Sequence, residues 1–154
     1  MSEIARIQNQ LKRTFEAGAW HGASVQETLS GITAEMASAK PIQDAHTIWE
    51  IVLHMITWIA VPTQRIIEEK NLQVGDEVDW PAATESGDAA WKDTLAKLNA
   101  AYNRLQETLS RMKDSDLEHL LEGAEKTPIY VMLHGVIQHN LYHAGQINIL
   151  KKAL

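Results

Sequence analysis

The chain has 154 residues, the size of one domain, and a domain of this length buries most of the surface that its unfolded chain exposes. It has no cysteine, which excludes disulfides, thiolate zinc sites and a cysteine nucleophile, so any metal must be held by His, Asp or Glu. Its 14 basic and 20 acidic residues give a net charge of -6, with no basic stripe to suggest nucleic acid and no apolar stretch near the roughly 20 residues of a membrane span. We therefore expect one cytoplasmic domain over residues 1–154, with no nucleic-acid or membrane partner.

Apolar residues recur at spacings of three and four through most of the chain, and this period predicts an all-α protein. The first helix has a regular apolar stripe of Ile4, Ile7, Leu11 and Phe15. The pattern stops at the sequence GAWHG, residues 18–22, which predicts a break there. Ser24 and Glu27 then fit a capping box, so a short helix is expected to follow the break.

A second capping box, Thr47 with Glu50, predicts the start of a second long helix. We expect this helix to reach about Lys70, with a kink at Pro62, because proline removes an amide donor and clashes with the preceding turn. One histidine lies on its apolar stripe, which consists of Ile51, His54, Trp58 and Val61.

Residues 71–87 lack a period and are rich in Gly, Pro, Asp and Ser, which predicts a long ordered crossover or a lid. Trp80 in this segment is expected to pack back onto the body of the protein. A third helix follows over about residues 88–112, with apolar residues at alternating steps of four and three. Thr127 as the N-cap and Pro128 in the first turn predict the start of a fourth helix that runs nearly to the C-terminus.

Four long amphipathic helices around a single core predict a four-helix bundle. The segments between helices one and two and between helices two and three are both long enough to act as crossover connections. We therefore expect an up-up-down-down path, with a simple up-and-down path left open, because periodicity does not report helix direction.

The fourth helix has two histidines on its inward stripe, which reads Met132, Val136, His139, His143, Ile147 and Leu150. Residues four apart project from the same side of a helix, so His139 and His143 can converge on one ion. His54 lies on the inward stripe of another helix. Three imidazoles from two helices form the facial N₃ arrangement that a catalytic zinc or a related divalent ion accepts.

The alternative is that these histidines are packed core residues. Spacing alone is weak support for a metal site, since seven histidines in this chain give roughly 0.3 pairs at spacing four by chance. The rings can instead bond to backbone carbonyls or to Gln138, Tyr142 or Gln146. The remaining histidines are weaker candidates for a site because of their positions in the pattern: His46, His119 and His134.

Two residues are candidates for proton transfer. Glu50 lies one turn before His54 and can act as a general base, although its capping role also explains its position. His21, beside Trp20 at the helix break, can border the mouth of a pocket, and fold packing alone also accounts for Trp20.

Four segments together resemble the DinB-like superfamily, also called the DinB/YfiT group, over nearly the whole chain: AWHGASVQETL, HTIWEIVLHMITW, DW followed by AAWKDTLAKL, and LHGVIQHNLYHAGQINILKKAL. In that family a histidine of the second helix and an H-x-x-x-H pair of the fourth bind a divalent metal. The resemblance maps these ligands onto His54, His139 and His143. It also implies nickel or zinc as the ion and, frequently, a homodimer.

Characterised members of that family include bacillithiol S-transferases and a mycothiol-dependent maleylpyruvate isomerase. The resemblance thus implies a metal-dependent enzyme that transfers a low-molecular-weight thiol to a small electrophile. Two alternatives stay open. One is a metal-dependent hydrolase with Glu50 as its base, and the other is a non-catalytic, metal-binding stress-response bundle.

Overall fold

The computed structural model describes residues 1–123 and 126–154. These residues form seven α-helices and one 3₁₀ helix, and none of them belongs to a β-strand. In chain order the elements are α1 (Glu3–Phe15), α2 (Val25–Leu29), α3 (Ala34–Ser38), α4 (Ile48–Glu68), α5 (Asp76–Asp79), α6 (Asp88–Ser110), the 3₁₀ helix Asp114–Glu118 and α7 (Ile129–Ala153). The all-α class is thereby confirmed. No helix in the described parts of the chain is both long and apolar enough to cross a membrane.

Two helices begin at the capping boxes that the sequence predicts. The hydroxyl of Ser24 accepts a hydrogen bond from the Glu27 amide at 3.3 Å, and the Glu27 carboxylate accepts one from the Ser24 amide at 2.8 Å. Thr47 and Glu50 form the same reciprocal pair at the start of α4. By contrast, the residue before α7 is Pro128 rather than Thr127, and no side chain caps that helix.

The four long helices bury the apolar stripes that the sequence predicts. Ile7, Leu11 and Phe15 of α1 are almost fully buried. On α6 the buried residues include Leu98, Tyr102, Leu105 and Leu109, which lie at the predicted alternating steps of four and three. These residues belong to one continuous core, to which α4 and α7 also contribute. Helix α4 packs against both α6 and α7, and α1 packs against the same two helices.

Pairs of contacting residues show that α1 and α6 run antiparallel. In the middle of α1, Gln8 donates a hydrogen bond to the Gln106 carbonyl at 3.1 Å. Near the end of α1, Phe15 stacks on Tyr102 with the ring centroids 4.0 Å apart. The residue numbers rise along α1 while they fall along α6, so the two helices have opposite directions.

Helices α4 and α6 run parallel, whereas α4 and α7 run antiparallel. Trp49 packs on Trp91 near the first turn of both α4 and α6, and further along both helices Thr63 and Ala101 line one groove. The α4 to α7 contacts run the opposite way, through the ring pairs His54 with His143 and Trp58 with His139.

These directions do not fit the predicted up-up-down-down path, nor the simple up-and-down alternative. The long helices in chain order are α1, α4, α6 and α7. Because α1 is antiparallel to α6 and α6 is parallel to α4, α1 and α4 have opposite directions, whereas α4 and α6 have the same direction. The parallel pair requires a long return connection. Residues 69–87 provide it, because they can span far more than the roughly 30 Å length of α4. The four-helix bundle itself stays a prediction.

This connection lies against α4 at the level of the histidines. The hydroxyl of Thr57 donates to the Val78 carbonyl at 2.9 Å, and the indole N–H of Trp58 donates to the Asp79 carboxylate at 2.6 Å. Trp80 is partly buried against the core, as the sequence predicts. The crossover is therefore attached to the helix that contributes His54.

Candidate metal centre

The structure brings the three predicted ligands together. Nε2 of His139 lies 2.9 Å from Nε2 of His54 and 3.0 Å from Nε2 of His143. The ligand nitrogens of the three rings all lie within 4.8 Å of one another. His54 and His143 are buried and His139 is partly buried, so the group lies inside the protein, between α4 and α7.

These separations match those of nitrogens that share one metal ion. Zn–N bonds are about 2.0–2.1 Å long, and with bond angles between right and tetrahedral their nitrogens lie roughly 2.9–3.4 Å apart. Both short separations, 2.9 and 3.0 Å, are in this range. The third pair lies at most 4.8 Å apart, and a shift of about 1.5 Å or less brings it into the same range.

Hydrogen-bond partners fix the proton positions on two of the rings. The Nδ1–H of His54 donates to the Asp79 carbonyl at 2.7 Å, because a carbonyl oxygen can only accept. The Nδ1–H of His143 donates to the Gln146 side-chain oxygen at 2.6 Å. In a neutral imidazole the other nitrogen then carries a lone pair.

Two lone pairs, on His54 and His143, thus face one nitrogen of His139. A neutral His139 has at most one proton on Nε2 and can satisfy only one of them. A metal ion satisfies all three nitrogens at once, since neutral imidazole is a metal ligand through its lone pair. The residues present therefore fit a divalent ion.

Burial keeps the rings in the form that binds metal. Loss of hydration on burial, together with the neighbouring His143 and His54, lowers the pKa of His139 to about 4. Burial likewise lowers the pKa of His143 to about 4, against the opposing hydrogen bond to Gln146. Both rings are neutral at pH 7, so no proton competes for the nitrogens.

A second layer of residues from the crossover holds His54 in place. The Asp79 carboxylate lies 3.2 Å from Nδ1 of His54 and also accepts the Trp58 indole N–H. The Trp80 indole lies between the rings of His46 and His54, stacked on each at 3.8 Å with planes 7° apart. Contacts of this kind orient a ligand ring and fix its tautomer.

Sequence reasoning missed Asp79 as part of the site. It stands beside Trp80 in the DW pair, but Asp76 and Glu77 precede it in the same short helix, and nothing in the pattern separates the three acids. His46 was a weaker candidate, and its stack on Trp80 depends on where the crossover lies. Both contacts follow from tertiary structure rather than from local sequence.

Glu50 is engaged in capping. Its carboxylate accepts hydrogen bonds from the Thr47 amide at 2.8 Å and the Thr47 hydroxyl at 3.1 Å, and lies 3.6 Å from Nδ1 of His46. Burial acts to raise the pKa of Glu50, but the hydrogen bonds from Thr47 and the positive charges of His46 and Lys40 together hold it below its usual value. A lowered pKa makes a carboxylate a weaker base. The general-base role stays a prediction.

His21 lies in an exposed turn between α1 and α2. Within residues 1–123 and 126–154 its ring makes no hydrogen bond or ring contact, so no contact joins it to the three histidines. Its neighbour Trp20 is fully exposed and does not pack on the fold. The proton-transfer role of His21 therefore stays a prediction without a supporting contact.

The fold and the three converging imidazoles define an all-helical protein with a candidate three-histidine metal centre. The sequence profile of the DinB superfamily matches residues 17–147, and the chain belongs to that superfamily. A crystal structure of a conserved protein from Enterococcus faecalis is similar in fold, with a TM-score of 0.73 over 99% of this chain and 97% of that chain. At 18% sequence identity this likeness concerns the fold alone. No curated protein matches the chain.

Proposed function

We propose that this protein is a divalent-metal-dependent enzyme that transfers a low-molecular-weight thiol, similar to bacillithiol or mycothiol, to a small electrophile. One observation carries the proposal: His54, His139 and His143 point three Nε2 atoms at one another, and no fourth His, Asp or Glu of the described residues joins the group. Three protein ligands leave coordination positions for an outside ligand, the arrangement of catalytic rather than structural sites.

A bound zinc or nickel ion supplies Lewis acidity, which lowers the pKa of a coordinated thiol and favours its nucleophilic thiolate. The chain's own residues prepare the site for it. Asp79 and Gln146 hold protons on the outer nitrogens of His54 and His143, so that the inner nitrogens are free to coordinate. The stacked Trp80 covers one face of the His54 ring and excludes water from that side.

The hydrolase alternative is less favoured by the geometry. It requires Glu50 to accept a proton from a water molecule, yet both hydrogen bonds of this carboxylate go to Thr47. A Glu50→Gln substitution separates the two roles. Loss of hydrolysis at full metal content supports the base, whereas a loss of thermal stability alone supports the cap.

The experiment that tests the proposal uses protein loaded with zinc or nickel. We expect consumption of bacillithiol, mycothiol or glutathione in the presence of monochlorobimane, with turnover that depends on the metal and is absent in a His143→Ala variant. If stoichiometric metal is bound but none of the three thiols is turned over, the transferase proposal is wrong. The non-catalytic metal-binding bundle is then the better description.

We propose in addition that the four long helices form a four-helix bundle and that the protein is a cytoplasmic homodimer. The superfamily resemblance supports the bundle and the dimer, and a chain without cysteine is compatible with a reducing cytoplasm. Size-exclusion chromatography with light scattering tests the dimer, since a single peak at the monomer mass of 17.2 kDa contradicts it.

A further inference from the structure

A cleft between α4 and α7 lies directly beside the histidine trio. Its volume is about 230 Å³, and it is lined by the apolar residues Trp58, Pro62, Met132, Gly135 and Val136 and by the polar side chains of Arg65 and His139. Most of the surface that lines it is apolar. A molecule in this cleft therefore touches one of the three metal-ligand candidates while most of its surface meets apolar groups.

We propose that this cleft binds an apolar group of the substrate, either a single aromatic ring or a branched alkyl group of similar size. That this group belongs to a substrate rests on the proposed function, whereas the binding of an apolar group by the cleft does not. Burial of apolar surface in a cleft with a few polar groups is the usual basis of small-molecule recognition.

The size of the cleft limits its occupant. An apolar cavity of about 150 Å³ holds a benzene ring, whereas sites for whole drug-sized ligands run from roughly 300 to 1,000 Å³. A cleft of about 230 Å³ thus accepts one ring with a few further atoms. The remainder of a larger substrate stays outside, towards the metal centre or the solvent.

A second cleft near the site is a weaker candidate. It has a volume of about 270 Å³ and is lined by Asp44, His46, Gln146 and several aliphatic side chains. It reaches the trio through Gln146, which bonds to Nδ1 of His143. A ligand there meets the outer side of His143, away from the nitrogen that faces the other rings. The α4–α7 cleft has His139 itself in its wall.

The wall formed by Trp58 is fixed before any ligand binds. Its indole N–H is held by the Asp79 carboxylate at 2.6 Å, and the Arg65 guanidinium lies over its ring at 5.8 Å from the centroid. Arg65 in turn donates two hydrogen bonds to the Leu72 carbonyl, at 3.1 and 2.6 Å. A preformed wall needs no reordering on binding, which favours affinity for a rigid ring.

Gly135 gives direct access to the cleft by mutation. A Cβ atom placed at this residue meets no atom within 4 Å, so the space beside it is open. Gly135 lies within α7, where leucine and alanine are better helix formers than glycine. A Gly135→Leu variant is therefore expected to fill the cleft without loss of the fold. Gly145 on the same helix also has open space around it but lies outside the cleft, and it provides the matched control.

The test measures binding of 4-fluorobenzyl alcohol to zinc-loaded protein by fluorine NMR. We expect millimolar binding to the unchanged chain and to Gly145→Leu, and binding at least tenfold weaker in Gly135→Leu. Zinc content is expected to be equal in all three. Equal affinity in the unchanged chain and Gly135→Leu, or no binding to the unchanged chain, overturns the proposal.

A smaller substitution protects the test against a folding defect. If Gly135→Leu does not fold, Gly135→Ala adds only one methyl group to the same space and is expected to weaken binding about twofold. Unchanged affinity in that variant also overturns the proposal. Because no thiol takes part in the measurement, a failure of thiol transfer leaves the outcome unaffected, and the two proposals can fail separately.

Discussion

The two helices and the crossover contribute to the histidine site in different ways. His139 and His143 are four residues apart on a 25-residue helix, so local helix geometry alone places their rings side by side. Asp79 and Trp80 reach His54 only because residues 69–87 lie against α4. The helices thus set where the ligand atoms are, whereas the crossover sets which nitrogen of His54 carries the proton. Loss of a ligand from a helix should therefore have a large effect on metal binding, and changes to crossover residues should have smaller effects.

The largest effect is expected from His143→Ala. This substitution removes one of three ligands, and its cost in metal affinity should exceed the 10–100-fold that is typical for loss of a supporting residue. Metal analysis of the purified variant by mass spectrometry is expected to show no bound zinc or nickel. His119→Ala, which removes an exposed histidine remote from the trio in sequence, is the control. If His143→Ala retains stoichiometric metal, the trio is not the site.

A smaller effect is expected from Asp79→Asn. The carboxylate near His54 is lost, but the Asp79 main-chain carbonyl still accepts the Nδ1–H bond, so metal affinity should fall by about tenfold, the lower end for a supporting residue. Competition with a zinc chelator measures the change. Asp76→Asn removes a charge from the same short helix and should leave affinity unchanged. Equal losses of zinc affinity in both variants would show that Asp79 acts only through the negative charge that it adds to the short helix.

Trp80→Ala should act mainly on the stability of the fold and only weakly on metal affinity. The indole stacks on two rings, and an aromatic pair contributes about 0.5–1.5 kcal/mol beyond its buried area, so a loss of at least about 1–3 kcal/mol in the free energy of unfolding is expected. Urea denaturation at pH 7 gives this value. Trp80→Phe, which keeps a stacking ring, should recover most of it. An unchanged free energy of unfolding in Trp80→Ala would indicate that the crossover is held by its hydrogen bonds alone.

The smallest effect is expected from pH acting on the metal-free protein. The pKa values of His139 and His143 are lowered in the folded state to about 4 from their ordinary 6.5, so below pH 6.5 the unfolded chain binds protons that the folded chain does not. The contribution of these two rings to the free energy of unfolding is therefore fully present above pH 6.5 and is lost as the pH drops towards 4.

His139 is only partly buried, so its contribution to this pH effect is modest. Thermal unfolding of metal-free protein at pH 7 and at pH 5 measures it. In a His139→Gln variant the unfolding midpoint should change less between these two pH values. Saturation with zinc should shift the midpoint upward at pH 7, since the ion binds only the folded state. A pH-independent midpoint in the unchanged chain contradicts the neutral, buried state of these rings.

The ligands could be predicted from the sequence because their positions depend on helix period. The inward stripes of α4 and α7 carry His54, His139 and His143, and both capping boxes locate helix starts in the same local manner. Trp80 was expected to pack on the body, since a large aromatic in a polar loop rarely stays in water, and it does. Trp20 shows the limit of that rule, because it is fully exposed.

Features that depend on how the helices are arranged could not be predicted. A heptad pattern gives the buried face but not the direction, so the antiparallel pair α1 and α6 and the parallel pair α4 and α6 required contacts between distant residues. Gln146 is instructive, because sequence reasoning named it only as a partner of packed histidines. It does bond to His143, yet through Nδ1, which leaves Nε2 available, so packing and metal binding are compatible.

The proton on His54 is held by a main-chain oxygen, that of residue 79. Every amino acid, proline included, offers the same oxygen, so the tautomer that exposes Nε2 is encoded by the route of the backbone rather than by a particular side chain. An insertion or deletion in residues 69–87 should consequently disturb the chemistry of His54 more than a substitution at residue 79 does.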